Sequence, residues 1–113
     1  GLGEQIVRTL VAEGMRVAAA DLREDAVRKL ATGCGAEGGV LPLSLDVGDP
    51  AAADNVLAAT VRQFGGIDVV INNAGLGGEV DVVDMTDDQW TAVLDITLNS
   101  VFRMTRAVLP HMM

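Results

Sequence analysis

The sequence predicts an α/β fold, a doubly wound parallel sheet, and three observations predict it. Apolar segments of helix and strand character alternate strictly along the chain. The strand candidates are continuous apolar runs, as expected of parallel strands covered on both faces. Glycines, aspartates and asparagines gather where strands should end and helices begin, the edge at which open α/β sheets bind ligands.

Ile6, Val7, Leu10 and Val11 recur at helical spacing after Glu4, and Gly14 stands where a left-handed cap would end the helix, so Gly3 to Glu13 is predicted helical. Arg16 to Asp21, with its Val-Ala-Ala-Ala run, is predicted as a buried strand, although the alanines alone would equally suit a helix. Arg23 to Ala31 reads as a short exposed helix, ended by the glycine-rich Thr32-Gly33-Cys34-Gly35 and Gly38-Gly39. Val40 to Val47 is the next strand, and Pro42 inside it argues for the edge of the sheet. Asp49-Pro50 then offers an N-cap and a first-turn proline to a helix with the stripe Ala53, Val56, Leu57, Thr60, Val61 and Phe64, stopped by Gly65-Gly66. Ile67 to Asn72 is a third strand built on the β-branched run Val69-Val70-Ile71. Thr86 and Gln89 form a capping box with Met85 and Trp90 as its staple, opening a helix to about Leu109 whose face is Trp90, Val93, Leu94, Leu98, Val101 and Phe102.

The 113 residues support one domain, 1–113, of ordinary core. Sixteen acidic against eight basic residues give a formal charge of -8, a sign that repels nucleic-acid backbones and anionic lipid, so neither nucleic acid nor membrane is an expected partner. No apolar run approaches the ~20 residues of a membrane span. A single cysteine, Cys34, allows no internal disulfide and no cysteine metal cage, which suits a reducing cytoplasm. The opening Gly-Leu-Gly-Glu has no initiator Met and no signal-like segment, and a helix starting in Gly-x-Gly needs a strand before it. A leading strand is therefore expected upstream of these residues.

Gly1 and Gly3 stand at the mouth of the first helix, where free N–H groups and the dipole attract anions, although glycines also serve turn geometry at helix starts. Asp21 follows Gly3 by 18 residues at a strand end, where a carboxylate can accept both ribose hydroxyls of a nucleotide; capping the next helix is the alternative. A 2'-phosphate would meet Asp21 as a like charge, which favours NAD over NADP, while Arg23 nearby tempers that choice. Asp46-Val47 and Asn72-Asn73-Ala74-Gly75 end the next two strands. His111, Trp90, Met85, Met104, Cys34 and the acidic run Asp81, Asp84, Asp87 and Asp88 have bland readings as packing or solvated surface, and no metal site is expected. Glu79, after Gly75, could face a substrate.

These elements together resemble the short-chain dehydrogenase/reductase family over the whole chain. Gly-Leu-Gly, Asp21, Asp46-Val47, Asn72-Asn73-Ala74-Gly75 and Leu98-Asn99-Ser100-Val101-Phe102 carry the likeness, and Asn-Asn-Ala-Gly is its most specific part. The resemblance implies a Rossmann-like sheet, incomplete here because the first strand and the C-terminal half lie outside these residues. By the family's pattern Gly1 and Gly3 would border the pyrophosphate, Asp21 with Leu22 the adenosine ribose, and Asp46 with Val47 the adenine. Asn72, Asn73, Ala74 and Gly75 would line the wall beside the cofactor. Asn99 would be the asparagine of the catalytic Asn-Ser-Tyr-Lys set; outside that context it reads as a helix-surface amide.

The implied activity is hydride transfer between NAD, or less favourably NADP, and a small secondary alcohol or ketone, in a parent protein that forms homodimers or homotetramers. The family's serine and Tyr-x-x-x-Lys are not among these residues, and the sequence has no tyrosine. Carbonyl reduction needs a general acid within hydrogen-bond reach. The 113 residues alone are thus expected to be catalytically silent. A non-catalytic nucleotide-binding or regulatory module is the alternative, and an oligomer interface through the long helix, hinted at by Ile96 and Val108, is a third.

Overall fold

The structure is a computed structural model that describes residues 1–35, 39–77 and 79–113. Gly38 of the predicted Gly38-Gly39 stop and Gly78 of the loop beyond Gly75 lie outside the described residues. The order is α1 (Leu2–Ala12), β1 (Val17–Asp21), α2 (Glu24–Gly33), β2 (Val40–Ser44), α3 (Ala52–Phe64), a single 3-10 turn at Val82–Asp84, α4 (Asp87–Leu94), a π-helical turn at Asp95–Asn99, and α5 (Ser100–Met112).

Local chemistry explains where most elements start and stop. The end of α1 is a Schellman closure: Gly14, at φ +85°, donates its N–H to Val11 O, and Met15 donates to Leu10 O, each at 3.0 Å. Gly65 ends α3 in the left-handed region at φ 87° and donates to Val61 O at 2.7 Å. The predicted capping box opens α4, with Gln89 N–H donating to Thr86 Oγ1 at 3.2 Å and Thr86 N–H to Gln89 Oε1 at 2.9 Å. Arg16 joins the start of β1 to the end of α3, donating to Phe64 O at 3.0 Å with its guanidinium 5.0 Å from the Phe64 ring centre.

β1 and β2 pair in parallel, Val17 opposite Val40 through Asp21 opposite Ser44. Pro42 sits opposite Ala19 in a strand with no second neighbour among the described residues, a position where its missing donor is tolerated. The helices α1 and α2 rest on β1, α2 and α3 on β2, and α5 on α3. Ala19, Val27, Ala53, Leu57 and Val108 form the small core. The two buried hydroxyls there, Thr60 and Ser100, are satisfied by the carbonyls one turn back, Val56 O and Ile96 O. No helix among the described residues is long and apolar enough to cross a membrane.

Five expectations need correction. Residues 67–72 form no strand: a strand needs a ladder partner, none of the described segments supplies one, and Val69 and Ile71 stand 54% and 48% exposed. β1 is not covered on both faces, since Ala19 is buried and Ala20 exposed. β2 ends at Ser44, before the turn around Asp46. α3 starts at Ala52, because Asp49 spends its carboxylate on Ala51 N–H, at 3.0 Å, inside the preceding turn. The last helix is not one regular helix to Leu109: it widens at Asp95–Asn99 and then continues through Pro110 to Met112.

That widening shifts the helix faces beyond Asp95, though not at Trp90, which precedes it. Trp90, Leu98 and Phe102, expected to pack, are exposed, while Val108, expected as part of an outer face, is buried. The exposed apolar side is instead Leu98 of the π-helical turn with Phe102 and Leu109 of α5.

Candidate functional site

The parallel register sets the first half of the site. Asp21 closes β1 opposite Ser44, and Leu45 N–H donates to Asp21 O at 3.0 Å, so both strands finish at one edge. Asp46 and Val47 follow directly. Asp21 Oδ1 accepts Arg23 N–H at 2.8 Å, and Arg23 Nε lies 3.6 Å from the same oxygen. The carboxylate thus closes the turn between β1 and α2 and does not cap α2, whose N-cap Arg23 has no side-chain bond; it uses one oxygen only. Leu22 beside it is exposed. Asp46 Oδ1 accepts Gly48 N–H at 2.9 Å, which fixes the turn after β2 in the same manner.

The second half lies at the start of α1. Gly1 caps this helix without a side chain, and the first backbone bond inside the turn runs from Gln5 N–H to Gly1 O, at 3.4 Å. The N–H groups of Leu2, Gly3 and Glu4 therefore have no partner within the helix. A side chain at Gly1 would meet nothing within 4 Å, whereas a Cβ at Gly3 would stand 2.7 Å from Asn73 Nδ2. A Cβ at Gly3 would displace the amide tip of the exposed Asn73 side chain, and the open approach to the helix end lies at Gly1. Asn72, Asn73, Ala74 and Gly75 are all exposed.

The π-helical turn links these halves. Thr97 Oγ1 accepts Leu76 N–H at 3.1 Å and donates to Leu76 O at 3.3 Å, tying the segment after Gly75 to the helix. Asp95 Oδ1 accepts from Arg103 Nη1 at 2.9 Å and from Asn99 Nδ2 at 3.3 Å. Arg103 Nη2 donates to Val47 O at 3.0 Å, reaching across 56 residues to the loop after β2. The Arg103 hydrogen bond first, then that of Asn99 and the Arg103 charge, hold the Asp95 carboxyl below the usual carboxylate range, against an opposing desolvation.

The structure thus brings Gly3 to Asn73 and Asp21 to Asp46, and connects both pairs to the turn Asp95–Asn99. It directs the amide of Asn99 to Asp95 and not to the Asn72–Gly75 segment; Thr97 reaches Leu76, the residue directly after it. Thr97, Asp95, Arg103 and Gly48 escaped the sequence reading. Asp95 and Arg103 are eight apart, outside the i, i+4 rule, and pair across the widened turn.

Whether these residues fit an adenine dinucleotide can be tested on this geometry. Unpaired N–H groups at a helix end without a side-chain cap suit a pyrophosphate, an aspartate with one uncommitted oxygen suits a ribose diol, and Gly3, set against the Asn73 amide, keeps that wall thin. They fit.

Comparison with known proteins bears on the same residues. The family model described as short chain dehydrogenase matches residues 1–113. The chain is 42% identical over 116 residues to the (5R,7aS)-5-hydroxy-7a-methyl-1-oxo-2,3,5,6,7,7a-hexahydro-1H-indene-carboxyl-CoA reductase of Mycobacterium tuberculosis, over 98% of this chain and 43% of that protein. It is 36% identical to the 3-oxoacyl-acyl-carrier-protein reductase of Salmonella typhimurium, over 100% of this chain and 46% of that one. The crystal structure of a short chain dehydrogenase from Mycobacterium smegmatis superposes with a TM-score of 0.90 at 39% identity, over 98% of this chain and 46% of that chain. The chain therefore spans somewhat less than half the length of these relatives, and its fold is the Rossmann-like α/β one that the sequence predicts.

Proposed function

The chain belongs to the short-chain dehydrogenase family, and from that premise we propose that residues 1–113 are the cofactor-binding part of an NAD(P)-dependent oxidoreductase. Bound nicotinamide supplies or accepts a hydride, and the substrate is a small secondary alcohol or ketone. The observation that carries this reading is the continuous run of contacts from Gly3 and Asn73, through Leu76 and Thr97, to Asp95, Gly48 and Asp46. Residues as far as 70 apart in sequence are brought together beside the ends of β1 and β2, and the carboxyl edge of the strands is where α/β sheets bind nucleotides.

In this reading the free N–H groups of α1 take the pyrophosphate, with Gly1 leaving the approach clear. Asp21 accepts the ribose hydroxyls through the oxygen that Arg23 N–H does not use. Its negative charge opposes a 2'-phosphate, so NAD is preferred to NADP, and Arg23, whose exposed side chain could turn outward, narrows the preference without reversing it. Asp46 accepts from the adenine amino group, with Val47 beside it. Asn72, Asn73, Ala74 and Gly75 form the wall, and Asn99 contributes to the proton-relay end of the site. The acid that protonates a carbonyl must come from outside these residues, since they contain no tyrosine.

The test is spectrophotometric. Full-length protein should consume NADH with an activated ketone, or reduce NAD with a secondary alcohol, while the isolated 113 residues should show no rate above background. Turnover by the isolated chain, or full-length protein that binds NADH yet never transfers hydride across a broad alcohol and ketone panel, would overturn the proposal. The second of these outcomes would favour a nucleotide-binding module.

A further inference from the structure

Arg103 does more than fill space. Its side chain is 15% exposed, its Nε is buried without a partner among the described residues, and its other two nitrogens are committed to Asp95 and to the Val47 carbonyl. A buried donor left unpaired is costly, and an apolar side chain of similar volume would pack here without that cost. What only a guanidinium supplies is a fork with two fixed addresses, one on the helix turn and one on the loop after β2.

The loop it grips has little freedom left. Val47 O is held by Arg103, and Gly48 is wedged between two carboxylates: a Cβ there would lie 3.2 Å from Asp46 Oδ1 and 3.6 Å from Asp95 Oδ2. Gly48 N–H in turn orients the Asp46 carboxylate. The paired Asp95 and Arg103 therefore hold the Asp46–Gly48 loop at two points, Arg103 at the Val47 carbonyl and Asp95 beside Gly48. We propose that Arg103, braced by Asp95, is the positioning residue that holds the Asp46 carboxylate and Val47 at the place where an adenine base is bound. The proposal rests on the nucleotide reading above and adds to it a named determinant of adenosine affinity. The lowered proton affinity of Asp95 keeps this brace charged throughout the neutral range.

The experiment uses full-length protein and AMP as the probe, titrated calorimetrically beside NADH. Arg103→Met should raise the Kd of AMP about tenfold, the scale of one lost charge-assisted hydrogen bond, with KM for NADH rising by more than kcat falls. Arg103→Lys, which can keep a charge near Asp95 but not the fork, should fall between. In an Asp46→Ala background Arg103→Met should raise the AMP Kd by clearly less than it does alone, because part of its effect passes through the Asp46 carboxylate; a general packing defect would add in full. Where Arg103→Met fails to fold by circular dichroism, Asp95→Asn, which keeps the shape, should still weaken AMP about threefold. Unchanged AMP affinity in a folded Arg103→Met, or full additivity with Asp46→Ala, overturns the role of Arg103. Failure of the unmutated protein to bind either AMP or a dinucleotide overturns the nucleotide reading itself.

Discussion

Gly3 and Asp95 show how far single residues can be understood from their types. A glycine near a helix start is compatible with turn geometry or with anion approach, and the structure adds a third cause: the Asn73 side chain occupies the space a Cβ would need. No local pattern contains that contact, since its partners are 70 positions apart. Asp21 was legible both as a helix cap and as a ribose acid, and the geometry does not realise the first: its carboxylate closes the turn at Arg23, ahead of an α2 without a side-chain cap, and keeps one oxygen uncommitted for the second. Asp95 was not legible at all, because its partner Arg103 lies eight residues on across a turn whose π geometry the sequence rules do not foresee. Its depressed pKa sets a sign for stability. A carboxylate that binds its proton more weakly in the folded than in the unfolded chain stabilises the fold above the unfolded pKa of about 3.9 and loses that contribution as pH falls through the folded value. Urea midpoints should therefore fall more steeply below about pH 4 in the unmutated full-length protein than in Asp95→Asn, and the variant should be the less stable of the two at pH 7. Parallel acid profiles would remove Asp95 from the account.

At the scale of elements, what was legible is what local chemistry decides. The cap at Gly14, the stop at Gly65 and the Thr86–Gln89 box all use groups within five residues of one another, so their signals survive in the sequence. The strand at Ile67 to Asn72 had an equally good local signal in Val69-Val70-Ile71 and still forms no ladder, because pairing depends on a partner strand and not on β-branching. The last helix had the right start and an end three residues short, and its faces were misjudged because the turn at Asp95–Asn99 inserts extra residues into the period. That turn is a junction rather than a defect. Thr97 points from it to Leu76, so Thr97→Val should remove both bonds at once. Full-length Thr97→Val should lose about 1 kcal/mol of stability and exchange the Leu76 amide faster, with the amides of α5 unchanged. Unchanged protection at Leu76 would show that the hydroxyl does not hold the loop.

For the molecule as a whole, the alternation of helix and strand was the legible part, and the closure of the sheet was not. β1 and β2 form a parallel pair, while Val69 and Ile71 remain half exposed with no neighbouring strand among the described residues. A further strand between β1 and this segment would cover both, as the Gly-x-Gly start of α1 also requires. Hydrogen exchange should then find the amides of residues 69–72 protected in full-length protein and fast in the isolated 113 residues. Fast exchange in both would exclude such a strand. The apolar side formed by Leu98 of the π-helical turn and Phe102 of α5, 62% and 61% exposed, belongs to the same question of what completes the molecule. The central claim, that one rim holds an adenine dinucleotide, is tested most directly by titrating full-length protein with NADH and NADPH beside Asp21→Ala and Gly3→Val. The account predicts saturable binding with NADH tighter than NADPH, a preference lost in Asp21→Ala, and affinity for both reduced about tenfold or more in Gly3→Val, where a branched side chain crowds the free N–H end of α1. Equal affinity for the two nucleotides in the unmutated protein, or binding that neither substitution disturbs, would contradict it.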